Sequence, residues 1–130
     1  ELSLRGYIAS ITLRNSRGID IIASNPDATK SASIQVKTNS KGESKWILSQ
    51  KSETFYSENH YYILVALNAL GERPKYYIVP SKVVAEYISK NHSEWLRGKK
   101  SDGSPRKDSA IRKFRDPEEK YLEAWHLINI

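Results

Sequence analysis

Gly18-Ile19-Asp20-Ile21-Ile22-Ala23, a turn at Asn25-Pro26-Asp27, and then Ser33-Ile34-Gln35-Val36-Lys37-Thr38 decide how this chain is read. Both runs are rich in β-branched residues, the composition of strands, and turn formers separate them. A period of two puts Gln35 and Lys37 on one face of the second strand and Ile34, Val36 and Thr38 on the other. If the strands pair as a hairpin, Asp20 reaches the same patch. An acid, an amide oxygen and a lysine then converge at the end of a buried sheet. That grouping can hold a divalent metal and set a cation beside it.

Upstream, Glu1-Leu2-Ser3-Leu4-Arg5-Gly6 reads as the last turn of a helix stopped by a C-terminal glycine. With no initiating methionine, the chain is expected to be trimmed at its N-terminus. Tyr7 to Leu13 alternates as a strand, and Asn15-Ser16-Arg17-Gly18 is a turn. Downstream, Asn39 to Gly42 is a loop and Trp46-Ile47-Leu48 a short further strand, with a polar crossover to Asn59. Tyr61 to Leu67 is apolar on both faces and reads as a central strand, with Tyr76 to Val79 as its partner. Two helices are expected next: one capped at Pro80-Ser81 and broken near Asn91-His92, and a short one holding Trp95 and Leu96. A last helix starts at Asp116, with Pro117 first and Glu119 closing a capping box, and Tyr121, Leu122, Trp125 and Leu127 form its stripe. Segregated helices around a mixed sheet make an α/β or α+β fold.

At 130 residues the chain is one domain, 1–130, with a core over 1–80 and a helical part over 81–130. The absence of cysteine excludes a disulfide scaffold, a thiolate zinc site and a cysteine nucleophile. No apolar run approaches the ~18 residues of a membrane span, and no leader pattern is visible, so the expected setting is cytoplasmic with no membrane partner. The net charge of +6 is concentrated. Eight cations lie between Arg97 and Arg115 against Asp102 and Asp108, an excess equal to that of the whole chain. With Gly98, Gly103 and Pro105 in it, this reads either as a mobile cationic loop suited to phosphates, through Lys99, Lys100, Arg106 and Lys107, or as a solvated surface loop.

The spacing of Gly-Ile-Asp and Gln-Val-Lys resembles the PD-(D/E)XK nuclease superfamily, which includes Holliday-junction resolvases and many restriction endonucleases. The order of elements is similar too: helix, three meandering strands, crossover, further strand. The resemblance covers most of the chain and extends to Tyr77-Ile78-Val79-Pro80-Ser81, Trp95-Leu96 and Ile111-Arg112-Lys113-Phe114, which look like small uncharacterised bacterial members. It implies a restriction-endonuclease-like α/β fold of about five strands flanked by helices, with the first helix largely missing from the chain. Asp20 matches the acid of the first motif and Gln35-Val36-Lys37 the second, with Gln35 where most members have Asp or Glu. The methyl-directed restriction subgroup commonly has Gln there.

The implied function is metal-dependent endonucleolytic hydrolysis of DNA. Asp20, the Gln35 side-chain oxygen and the Val36 carbonyl would hold Mg²⁺ or Mn²⁺, and Lys37 would assist at the scissile phosphate. Paired active sites for two strands would make a homodimer. Gln35 is neutral, so the metal is held more weakly unless a glutamate of the first helix completes the set, and Glu1 is the one acid there. The alternatives are a catalytically degenerate nuclease-fold module that binds nucleic acid or protein, and a purely structural pairing of Asp20 with Lys37. Arg14 and Arg17 precede Asp20 and either hold phosphates or are solvated. His60, His92 and His126 have no metal spacing, and the tyrosines and tryptophans are core residues or base-stacking platforms.

Overall fold

The computed structural model of the chain describes residues 1–13 and 17–130. Five strands form one mixed sheet in the order β1-β2-β3-β5-β6: β1 Ile8–Ile11, β2 Ile21–Ser24, β3 Ser31–Asn39, β5 His60–Ala66 and β6 Lys75–Pro80. The three-strand meander is antiparallel, β5 returns parallel to β3 after the crossover, and β6 turns back antiparallel. The fold class expected from the sequence holds for the sheet.

Alternation along β5 explains its interior place. Tyr61 and Ile63 join Ile34 and Ile78 on one face, where Leu2, Trp125 and Ile128 from the chain ends cover them. Tyr62, Leu64 and Ala66 face the other way, onto a layer made by helix α1 Ser81–Arg97 and a two-stranded ribbon of β4 Lys45–Ser49 with β7 Ile111–Arg115. The Trp46 indole N–H donates to the Val65 carbonyl at 2.9 Å and locks the ribbon onto the sheet.

Outside the sheet the structure departs from the sequence reading. The N-terminal residues form a single 3-10 turn, Ser3–Arg5, ended by Gly6 at φ 89°, the left-handed conformation a glycine adopts without strain. Helix α1 runs unbroken through Asn91 and His92. No Gly or Pro interrupts it, and the modest propensity cost of Asn and His is offset where His92 stacks on Trp95 and pairs with Asp108 at 2.7 Å. The Ser81 hydroxyl does not cap the helix; it donates to the Ser57 carbonyl at 3.0 Å and accepts the Ser57 N–H, tying down the crossover.

Within the basic stretch, Ile111–Arg115 is a strand, and it pairs β4. The C-terminal helix does not form, so the helical part is limited to Ser81–Arg97 and the short turn Trp125–Leu127. Asp116 instead accepts the N–H groups of Lys120 and Tyr121 at 3.0 and 2.8 Å, and Glu119 and Glu123 take positive φ. The reason is the edge of β6: Ile78 N–H donates to the Tyr121 carbonyl at 3.0 Å and Glu123 N–H to the Tyr76 carbonyl at 2.8 Å. Covering an open strand edge outweighed a local capping signal. Among the described residues no helix is long and apolar enough to cross a membrane.

Candidate nuclease site

The β2–β3 pairing runs from Ser24↔Ser31 to Ile21↔Ile34 and stops there, while β3 continues to Asn39 alongside β5. Beyond Ile34 the β2 side of β3 is therefore open. Asp20 sits at that point of divergence. Its N–H donates to the Ile34 carbonyl at 2.8 Å, which places it across from Gln35, and its carboxylate accepts the Val36 N–H at 2.7 Å. The N–H and C=O of one strand residue point to the same side, so the Val36 carbonyl is directed toward the Asp20 side as well.

Two of the sequence-derived groups thus meet directly, the Asp20 carboxylate and the Val36 backbone, and Gln35 stands across from Asp20 on the neighbouring strand. Lys37 follows on the Gln35 face about 7 Å along the strand, opposite Leu64. It is half-buried and forms no ion pair with a described residue, so it is not the structural partner of Asp20.

Gln35 opens into a cleft of about 470 Å³ between the sheet and the segment after β4, and Arg17, Lys51, Phe55 and Tyr62 line it with Gln35. Gly18 closes one wall at φ 62°: a Cβ there would stand 3.2 Å from the Phe55 ring and 3.5 Å from Gln35 Oε1. Behind the cleft, His60 Nδ1 lies 2.8 Å from the Ser33 hydroxyl, and its ring meets Phe55 and Tyr62 edge-on. His60 Nε2 and the Tyr62 hydroxyl are buried without a hydrogen-bond partner. Burial depresses the His60 pKa, and the contact with Ser33 only partly opposes it, so the ring stays neutral.

The remaining candidates lie elsewhere. Arg14 falls outside the described residues. Lys99 and Lys100 sit on a tight hairpin closed by Lys100 N–H to the Ser104 carbonyl. Arg106 turns back on α1, donating to the Trp95 carbonyl at 2.7 Å with its guanidinium over the Trp95 ring, and Lys107 is exposed. None of these four lines the cleft. Arg112, another cation of that stretch, is buried and paired with Glu53. Glu1 is held by Arg5 and Arg73 at 3.0 and 2.7 Å; burial raises its pKa, but the Arg73 and Arg5 guanidiniums outweigh this and keep it low. Those arginines engage the carboxylate that the sequence offered to complete a metal set.

Lys51, Ser52 and Phe55 were not legible as site residues. They stand in a polar crossover, and the sole hint was an aromatic ring amid Lys, Ser and Thr. Trp46 and Trp125, offered as stacking platforms, are core residues.

No protein-family model and no curated protein matches this chain. Among solved structures it is similar to a bacterial homing endonuclease, with a TM-score of 0.50 and 18% identity over 98% of this chain and 79% of that one. It is also similar to Hjc, a Holliday junction resolvase from the archaeal hyperthermophile Archaeoglobus fulgidus, with a TM-score of 0.49 and 17% identity over 93% and 87% of the two chains. The chain has the restriction-endonuclease-like α/β fold.

Proposed function

We propose that this protein is a DNA endonuclease that hydrolyses phosphodiester bonds with a divalent metal, Mg²⁺ or Mn²⁺. The observation that carries the reading is the Asp20 carboxylate on the Val36 N–H at the point where β2 and β3 part, with the Gln35 amide across from it. The donor atoms there are hard oxygens, from a carboxylate, an amide and a backbone carbonyl, and they suit a hard cation that keeps several waters. Among the described residues no group of three His, Cys, Asp or Glu offers a rival metal site.

Asp20, Gln35 and the Val36 carbonyl would hold the metal, which would acidify a bound water and neutralise phosphate charge. The chain's own groups do the rest. Asp20 is oriented by the Val36 N–H, which fixes one oxygen and leaves the other for a ligand. Lys37 presents its ammonium to charge developing on the phosphate. Arg17 at the cleft, and Lys99, Lys100, Arg106 and Lys107 on the loop after α1, hold backbone phosphates without reading sequence. Cutting both strands calls for two such sites, hence a homodimer.

One observation favours a second reading, a nuclease-fold module that binds nucleic acid without cutting it: among the described residues the site has a single carboxylate, and Glu1 is engaged by two arginines. A cleavage assay on supercoiled, single-stranded and branched DNA with Mg²⁺ or Mn²⁺ separates the two. Asp20→Ala and Lys37→Ala should each lower the rate by roughly 10²-fold or more while leaving binding in EDTA intact. Cleavage that survives both substitutions refutes the proposed chemistry; salt-sensitive binding with no cleavage by the wild type establishes the second reading.

A further inference from the structure

An exposed aromatic ring in cationic surroundings is a stacking platform only if its face is free. Trp95 fails that test, because His92 stacks on it at 5.6 Å and the Arg106 guanidinium lies 5.1 Å from its centre. Phe55 passes it. It lines the cleft beside Gln35, is 39% exposed, and meets His60 in a T-shaped contact at 5.0 Å and Gly18 along one side of its ring, with no described ring stacked parallel on it and no described cation over it.

We propose that this cleft seats one unstacked nucleotide, its base against Phe55, so that the substrate is single-stranded or locally unpaired DNA. The identification of the ligand as DNA rests on the endonuclease reading above; the seat itself rests on four features. The volume of about 470 Å³ accommodates a nucleoside but not a stacked run of base pairs. Polar groups converge where a base edge would lie. Tyr62 is fully buried and its hydroxyl makes no hydrogen bond of good geometry, although the Ser52 side chain lies close enough to favour its ionised form slightly against the burial that raises its pKa. A buried hydroxyl in that state is costly, and a base heteroatom would relieve it. Gln35 Oε1 lies on the same wall, 3.5 Å from the position of a Gly18 Cβ, so the amide can serve the metal site and face the cleft. Arg17 and Lys51 are among the described lining residues and no acidic side chain is among them, which suits the phosphates on either side of the seated nucleotide.

The test is binding in EDTA, where no cleavage intervenes, of a single-stranded oligonucleotide carrying 2-aminopurine, the same oligonucleotide with an abasic site, and the duplex. The single strand should bind about tenfold more tightly than the duplex, and 2-aminopurine emission should rise as the base leaves its neighbours. Phe55→Ala should weaken the single strand about tenfold or more while changing duplex binding less than twofold, and Phe55→Trp should restore it. Tyr62→Phe, which removes an unpaired hydroxyl, should melt at or above the wild-type temperature and still bind the base-containing strand more weakly. Equal affinity for both DNA forms, no binding to either, an abasic strand held as well as the intact one, or equal losses in Phe55→Ala would overturn the proposal. Absent cleavage in Mg²⁺ with this preference intact counts against hydrolysis and not against the nucleotide seat.

Discussion

Replacing Glu53 by alanine tests how the wall of the cleft is held. Glu53 ends the 3-10 turn Gln50–Glu53, which carries Lys51 and Ser52 and leads into Phe55. Its carboxylate accepts the Arg112 Nε–H, and the Arg112 side chain is 4% exposed while that of Glu53 is 22% exposed. Arg112 keeps two further bonds, from Nη1 to the carbonyls of Ser109 at 2.7 Å and Ile111 at 3.0 Å, but neither neutralises the charge. Breaking a buried pair from one side costs about 3–5 kcal/mol because a charge is stranded away from water. Water can reach the vacated Glu53 position, so the lower end applies, about 3 kcal/mol, or a melting temperature lowered by roughly 10 °C. Glu53→Gln retains an acceptor for Nε–H and should cost about half as much. The paired change Glu53→Leu with Arg112→Met removes both charges and should return to within about 1 kcal/mol of wild type. Urea unfolding followed by tryptophan fluorescence reads all three. A loss under about 1 kcal/mol in Glu53→Ala, the level of a solvated surface pair, would refute the argument, as would a double variant no better than the single one.

Two further outcomes follow from the same geometry. His60 has a folded-state pKa below its ordinary 6.5, through burial first and against the contact with Ser33. Its contribution to stability is therefore full above that value and lost as pH falls toward the folded pKa, at up to about 1.4 kcal/mol per pH unit. Stability measured from pH 8 to 5 should fall less steeply in His60→Gln than in wild type, and parallel curves would contradict the assignment. For the basic loop, changing Lys99, Lys100 and Lys107 together to alanine should flatten the dependence of DNA affinity on salt by about 2–3 in the log–log slope. Arg106→Ala should instead lower the melting temperature, since that side chain is engaged with Trp95; an unchanged slope in the triple variant would remove the loop from the interface.

Much of the site was legible because it is built from local periodicity. Gln35 and Lys37 share a face of β3 by alternation alone, and Asp20 meets β3 through the register of neighbouring strands. Where the reading failed, two signals competed. Asp116-Pro117 and Glu119 have the chemistry of a helix start, but the open edge of β6 supplied hydrogen-bond partners to the same residues. Arg112 is one of eight cations in a run, and nothing near it in sequence says that it is buried; its partner Glu53 lies 59 positions away.

Residue order alone was enough for the strand meander, the interior character of β5 and the common face of Gln35 and Lys37 on β3, since alternation and turn chemistry act over a few residues. The cleft beside them was decided only by folding. Phe55, Tyr62 and Gly18 come from three separate segments, and their meeting depends on how the ribbon and α1 pack on the sheet, a balance of burial and edge pairing that no short window of sequence contains.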